Sequence, residues 1–245
     1  MDEATILSGC SMFRGSSPED FAPLLPSLSR RRYDPGRYLW RAGDPADWMY
    51  VVLSGEVIVS SLGSGGERYV LEVFVRGDTM GQLPFFEQDR VRLFDASAER
   101  ESECLVAPRQ AVLGLLRTRP ELMMCVLAAY SRWIRTRDMH ASDAAFQNLA
   151  GRVACKLVEL GNRYGELSPD GVRIPIRLTH EKVANMLGAS RENVSRALSR
   201  LARHGEVRRQ GGVLLIPRLE ELAQRYSSFQ ESPGGLASRA AGGSA

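Results

Sequence analysis

Between about residue 31 and residue 108 the chain alternates short β-prone runs with turn residues. Tyr50–Leu53 and Val57–Val59 flank Ser54-Gly55-Glu56, and Tyr69–Val75 lies between Gly65-Gly66 and Gly77-Asp78. Glycines at 36, 43, 55, 63, 65, 66, 77 and 81 punctuate the region. That spacing predicts hairpins closing into an antiparallel barrel or roll. Residues 18–28 predict short helical turns ahead of it.

The period changes at Pro120. No glycine or further proline occurs until Gly151, and Leu122, Val126, Tyr130, Trp133, Ile134, Ala141 and Ala144 recur at three- and four-residue spacing. About 30 residues at 1.5 Å each gives a helix of about 45 Å, which needs a partner along its length. Its apolar stripe fits a coiled-coil-like dimer seam, or packing against the chain's own β-region. A helix over about 150–164, a loop over 165–171 and a short strand from Ile174 to Arg177 follow.

Residues 178–203 carry the sharpest pattern. Thr179 and Ser190 each stand as an N-cap directly before a helical run. Gly188 sits where the first helix must end in a tight turn. Two short helices joined in this way form a helix-turn-helix. Val183, Leu187, Val194, Leu198 and Leu201 can share one core, and Ala184 lets the helices cross closely. Arg191, Glu192, Ser195, Arg196, Ser199 and Arg203 then face outward or to the rim. Arginine can grip guanine with both arms and glutamate can accept from cytosine. A glutamate among arginines lowers phosphate affinity, so its place is better explained by base reading. Glu206 to Ile216 reads as a glycine-turned hairpin, a wing, with Arg208 and Arg209 set for phosphates.

Charge sharpens this division. The 245 residues carry 32 basic and 29 acidic side chains, a net +3, and only two of the bases, Lys156 and Lys182, are lysines. Residues 1–118 hold 13 bases against 17 acids, residues 119–147 four against three, and residues 148–226 fourteen against eight. An acidic front and a basic back point to a polyanion partner for the second part. The expected divisions are a sensor over 1–118, a dimerisation helix over 119–147, a DNA-binding domain over 148–226 and a disordered tail over 227–245. The acidic start lacks a secretory pattern, and the longest nearly apolar run, Leu122–Tyr130, is too short to span a bilayer. Cys10, Cys104, Cys125 and Cys155 lack zinc or redox spacing. The expectation is a reduced, cytoplasmic protein without membrane contact.

With these residues in view, the chain resembles the cyclic-AMP receptor protein and fumarate-nitrate regulator family of bacterial transcription factors over about residues 18–222. The likeness rests on Gly36, Gly43, Asp44, Ala46, Asp47, the run Tyr50–Val57, Gly77, Asp78 and Gly81, then on Gly151-Arg152 and Leu178–Leu198. It implies an α+β chain: an N-terminal antiparallel β-roll (a cyclic-nucleotide-binding-like jelly roll), a long dimerisation helix and a C-terminal winged helix-turn-helix. It further implies a homodimer that reads double-stranded DNA at a palindromic TGTGA-like site through Arg191, Glu192 and Arg196. Thr179 and Ser190 would lie near phosphates, with Ser195, Arg200, Arg208 and Arg209 completing the surface. RNA polymerase is an implied partner.

The sensor departs from the branch that binds cyclic AMP. Gly81-Gln82-Leu83 carries Gln where the resemblance implies a ribose-binding Glu. Phe94 and Asp95 are read at the places of the phosphate-binding Arg and its hydroxyl neighbour. Arg137 and Asp138 stand for the pair that meets the adenine. A ring and a carboxylate repel a cyclic phosphate, so no cofactor and no cyclic-AMP binding are expected. Arg92 could instead hold a carboxylate, as in regulators that sense 2-oxo acids. A pocket filled by Phe85, Phe86 and Phe94 is a further possibility. An iron–sulfur site lacks N-terminal cysteines beyond Cys10, and a lone His140 is a weak haem signal. The rival class, an enzyme, finds no support: His180-Glu181 meets Ala184 where a zinc site needs its second histidine, and Gly63–Gly66 meets Arg68 where a dinucleotide fingerprint needs glycine.

Overall fold

The structure is a computed structural model and describes residues 2–210 and 212–226. The tail expected over 227–245 lies outside the described residues. The chain forms two compact units that divide between Ile134 and Arg135.

The first unit opens with helix α1 (Glu3–Gly9) and two 3-10 turns, Pro18–Phe21 and Leu25–Ser27. Six strands follow: β1 (Ser29–Tyr33), β2 (Tyr38–Trp40), β3 (Trp48–Leu62), β4 (Arg68–Val75), β5 (Thr79–Met80) and β6 (Asp95–Pro108). A 3-10 turn, Leu83–Phe86, separates β5 from β6. Every pairing is antiparallel, in the order β1-β6-β3-β4, with β2 added on β6 and β5 on β3. Helix α2 (Arg109–Thr118) comes next, and helix α3 (Pro120–Phe146) begins in this unit and runs on past the division at Ile134.

Ser54-Gly55-Glu56 is not a turn between two strands. It lies inside the 15-residue β3, at a place where the register against β6 shifts. Gly55 adopts φ +87°, and a Cβ there would stand 2.3 Å from the Glu101 carbonyl and from Ser102 Oγ. Ser102 Oγ in turn accepts the Glu56 N–H at 3.0 Å. A left-handed glycine inside a strand makes a bulge and lets the partner backbone come close. Gly55→Ala is therefore expected to cost about 2 kcal/mol or more, from strained backbone and overlap together. A urea midpoint equal to that of the parent chain would refute this.

The core explains the face that α3 buries. Leu122 and Val126 are buried with Phe13, Phe21, Phe85, Val112 and Leu116, and Tyr130 packs against the same cluster. The stripe read as a dimer seam thus begins as a face of the sensor's own core. Met124 and Leu127, off that stripe, and Ile134, within it, form an exposed line at 64%, 52% and 53%. Helices α1 and α2 had no reading in the sequence, because short amphipathic runs beside strands carry little periodicity of their own.

The second unit contains α4 (Leu149–Tyr164), β7 (Glu166–Ser168), β8 (Gly171–Ile174), α5 (His180–Leu187), α6 (Arg191–Arg203), β9 (Arg208–Gln210), β10 (Val213–Ile216) and α7 (Leu219–Tyr226). Its antiparallel sheet runs β7-β8-β10-β9. The strand expected at Ile174–Arg177 lies earlier, at Gly171–Ile174, because Pro175 has no N–H for a ladder. Part of the loop expected at 165–171 is β7, which pairs with β8 across Ser168↔Gly171. Helix α7 is a further element without a sequence reading.

Candidate nucleic-acid interface and sensor site

Both short helices of the second unit start and stop as their residues dictate. Thr179 Oγ1 accepts the Lys182 N–H at 3.1 Å, and Ser190 Oγ accepts the Asn193 N–H at 3.3 Å. Gly188 closes α5 in the left-handed region at φ +59°, with its N–H on the Ala184 carbonyl. Arg152, from α4, donates to the Leu187 carbonyl at 2.6 Å and so ties the end of α5 to the domain's long helix. Removing either cap hydroxyl, Thr179→Ala or Ser190→Ala, should cost about 1 kcal/mol in a denaturant titration. No change for both variants would contradict the capping geometry.

Helix α6 separates its faces cleanly. Val194, Ala197, Leu198 and Leu201 are buried, while Arg191, Glu192, Arg196, Ser199, Arg200 and Arg203 are exposed and Ser195 is half-buried. Arg196 donates to Asn193 Oδ1 one turn back, which holds its guanidinium along the helix. On the wing, Arg208 and Arg209 are exposed and pair with Leu215 and Leu214 of β10. Arg209 also donates to the Leu178 carbonyl at 3.0 Å, fastening the wing beside the start of α5. Glu206 accepts from Arg225 and, at 3.2 Å, from the Tyr226 hydroxyl, so α7 braces the wing from behind. Thr179, Ser190, Arg191, Glu192, Ser195, Arg196, Arg200, Arg208 and Arg209 all belong to this unit, and all but Ser195 are well exposed.

In the first unit, the turn Gly81–Leu83 faces a cation. Arg92 is 97% buried, given a relative exposure of 3%. Its guanidinium donates to the Gly81 carbonyl and, at 2.6 Å, to the Trp48 carbonyl, and lies 4.3 Å over the Trp40 ring. Its Nε is buried with no partner, as is Gln82 Oε1. Burial is the main cause that lowers the pKa of Arg92; nearby Tyr50, Asp47 and Asp44 act the other way. Burial likewise pushes the Tyr50 hydroxyl up to about 12.

Residues 30–119 match the model of the cyclic nucleotide-binding domain, and residues 151–225 that of the Crp-like helix-turn-helix domain. The CRP-like cAMP-activated global transcriptional regulator of Mycobacterium tuberculosis is 31% identical over 225 residues, which is 92% of this chain and 99% of that protein. The chain belongs to the CRP/FNR family. The cyclic AMP receptor protein of Thermus thermophilus is 29% identical, covering 89% of this chain and 98% of its own. Among solved structures, FixK2 from Bradyrhizobium japonicum has the same fold, with a TM-score of 0.72 at 20% identity over 83% of this chain and 99% of that one. The protein is a DNA-binding transcription regulator and not an enzyme. No helix among the described residues is long and apolar enough to cross a membrane.

Around the Gly81 turn, the structure places the residues of the expected effector pocket in three ways that the sequence reading did not state. First, the cation at the Gly81 turn is Arg92, whereas the sequence reading had the arginine's place taken by Phe94. Phe94 is 38% exposed and offers its carbonyl to Trp40 Nε1 at 2.9 Å. Second, Asp95 is not aimed at that turn: it accepts the Ala42 N–H at 2.8 Å and lines a separate cleft of about 350 Å³ with Tyr38, Ser60, Arg68, Ser97 and Glu99. Third, the three phenylalanines do not fill one pocket. Phe85 is buried in the core, while Phe86 is 48% exposed and meets the Tyr130 ring edge-on at 6.2 Å. Leu83 is exposed at the turn, and Arg137 and Asp138 are exposed on α3. The common cause is the chain's path between the 3-10 turn Leu83–Phe86 and β6: residues 87–94 belong to no strand of the sheet, so sequence order does not set which side chain turns inward.

Proposed function

We propose that the protein acts as a homodimer on a palindromic, TGTGA-like DNA site and couples that binding to its sensor. The observation that carries the DNA reading is the exposed Arg191-Glu192 pair at the capped start of α6, the end that reaches deepest into a major groove. Two such helices would sit about 34 Å apart over successive major grooves. Selection from random duplexes is expected to recover an inverted repeat of that spacing; an unstructured, purely salt-sensitive pool would refute it.

The exposed line Met124, Leu127 and Ile134 supports dimerisation through α3, the helix spanning 119–147 in the sequence reading. A helix that leaves such a line to solvent gains by pairing it. Leu127→Glu combined with Ile134→Glu is expected to give monomers in analytical ultracentrifugation. A dimer unchanged at micromolar concentration would place the seam elsewhere.

For the effector, two readings stand on different residues. Gln82, neutral where the family resemblance implies a carboxylate, supports a site degenerate for cyclic AMP. Arg92 supports an anionic effector, either a 2-oxo acid or another small metabolite, because its buried guanidinium keeps an Nε–H without a partner that a carboxylate could satisfy. The relatives' cyclic-AMP response keeps the nucleotide in the test. Thermal shift of the parent chain and of Arg92→Met across cyclic AMP and 2-oxo acids separates them. A stabilisation by 2-oxo acids that the variant loses favours the anion reading, and a saturable gain with cyclic AMP overturns the degenerate site. RNA polymerase contact belongs to the same proposal, as the means by which a bound dimer acts on transcription.

A further inference from the structure

His180 opens α5 directly after its Thr179 cap and lies half-buried at the edge of the basic surface. The charged groups that face it come from two other elements: Arg209 on β9 and Arg191 at the start of α6. On the helices themselves the first-turn acids are Glu181 and Glu192, both exposed. Arg209 is held in place by its bond to the Leu178 carbonyl, two residues before His180. The imidazole therefore stands at the positive end of its own helix, two residues from the carbonyl that holds Arg209 and within electrostatic reach of Arg191. Its chain neighbour Thr179 and the two arginines Arg191 and Arg209 are residues that the proposed DNA reading uses.

We propose that His180 is a DNA-phosphate contact that takes up a proton when the operator binds, so that operator affinity rises as pH falls. The proposal rests on the DNA-binding reading above and adds proton uptake to it. The sign follows from the neighbours. In the free protein, burial first and then Arg209 and Arg191 oppose a proton on the imidazole. A phosphate delivered between these groups offsets both guanidiniums and favours the imidazolium, with which it can form a charge-assisted hydrogen bond. The pKa in the complex then exceeds that in the free protein. Binding must release or absorb protons according to that difference, and here it absorbs them.

The effect is confined to the range around the ordinary histidine value, where small environmental shifts decide the charge. A difference of one pKa unit between complex and free protein is worth at most about tenfold in affinity per site. Two half-sites in one dimer would multiply their factors. At about threefold for each half-site, operator affinity gains roughly tenfold between pH 8 and pH 5.8.

The test measures operator affinity of the full chain by fluorescence anisotropy at fixed ionic strength from pH 5.8 to pH 8, for the parent, His180→Gln and His180→Arg. The expected result is a gain at low pH in the parent that both variants lack, with His180→Arg binding tightly throughout. The parent's salt dependence should also steepen at low pH by about one counterion for each half-site, a change that His180→Gln does not make. Titration of the His180 imidazole by NMR, assigned by its loss in His180→Gln, should give a higher pKa in the complex than in the free protein. Specific binding with the same pH response in parent and His180→Gln, or an equal or lower imidazole pKa in the complex, overturns the proposal. Failure of the parent to bind any DNA sequence specifically at any pH would instead overturn the DNA reading itself, and this proposal with it.

Discussion

Arg191→Ala lowers the preference for the operator over random duplex DNA by about 1–3 kcal/mol at each half-site, the worth of one bidentate base contact. In affinity that is roughly five- to 150-fold for each half-site. The reasoning runs from the helix outward. Ser190 caps α6, so its first turn is ordered, and Arg191 and Glu192 are both exposed on that turn. Glu192→Ala should behave differently. It removes a negative charge from a basic surface, so binding to random DNA strengthens slightly while one base position loses its preference. Arg208→Ala and Arg209→Ala, on the wing, should weaken all sequences alike and reduce the salt slope by about one for each phosphate lost. Anisotropy titrations against operator and scrambled duplexes at two salt concentrations resolve these patterns. An unchanged operator-to-random ratio in Arg191→Ala and Glu192→Ala would defeat the base-reading claim.

Leu201→Ala is the variant with the largest expected effect on stability. Leu201 is fully buried on the inner face of α6, in line with Val194 and Leu198. Removing its side chain loses the transfer of several apolar atoms and leaves a cavity that neighbouring helices fill only in part, at a cost of about 2–5 kcal/mol. Arg200→Ala, one residue away on the exposed face, should stay within about 0.5 kcal/mol of the parent. Urea unfolding followed by far-UV circular dichroism compares the two. Equal midpoints would mean that α6 is not packed through this face, and the assignment of its outer face to DNA would fall with it.

Legibility differed sharply between the two units. In α5 and α6 the caps, the turn glycine and the i, i+4, i+7 apolar positions are all local features, and each fixes its neighbours' orientation. Arg191, Arg196 and Arg203, read as outward from this periodicity, are exposed, and so is Arg200, which the periodicity did not name. Local consistency of this kind is what allows single-chain reasoning to succeed. In the sensor the decisive features are non-local. Gly55 signals a turn when only nearby residues are considered; the backbone of β6 at Ser102, 46 residues from the neighbouring Glu56, makes it a bulge instead. Helix α3 carries two apolar lines, and nothing in the chain's own order tells which of them meets α1, α2 and the β-roll.

The sequence by itself determined the order of the parts, the acidic front and basic back, and the outward direction of Arg191, Glu192, Arg196, Ser199 and Arg203 on α6. These follow from periodicity and charge, which short-range geometry converts directly into position. Only the tertiary structure decided that Leu122 and Val126 are core while Met124, Leu127 and Ile134 are exposed. It alone brought Arg92 to the carbonyl of Gly81 and kept Phe94 at the surface. It also brought Arg191 and Arg209, from two other elements, within electrostatic reach of His180. Each of these outcomes depends on which distant segment packs against the side chain, and packing is set by the whole fold rather than by spacing along the chain.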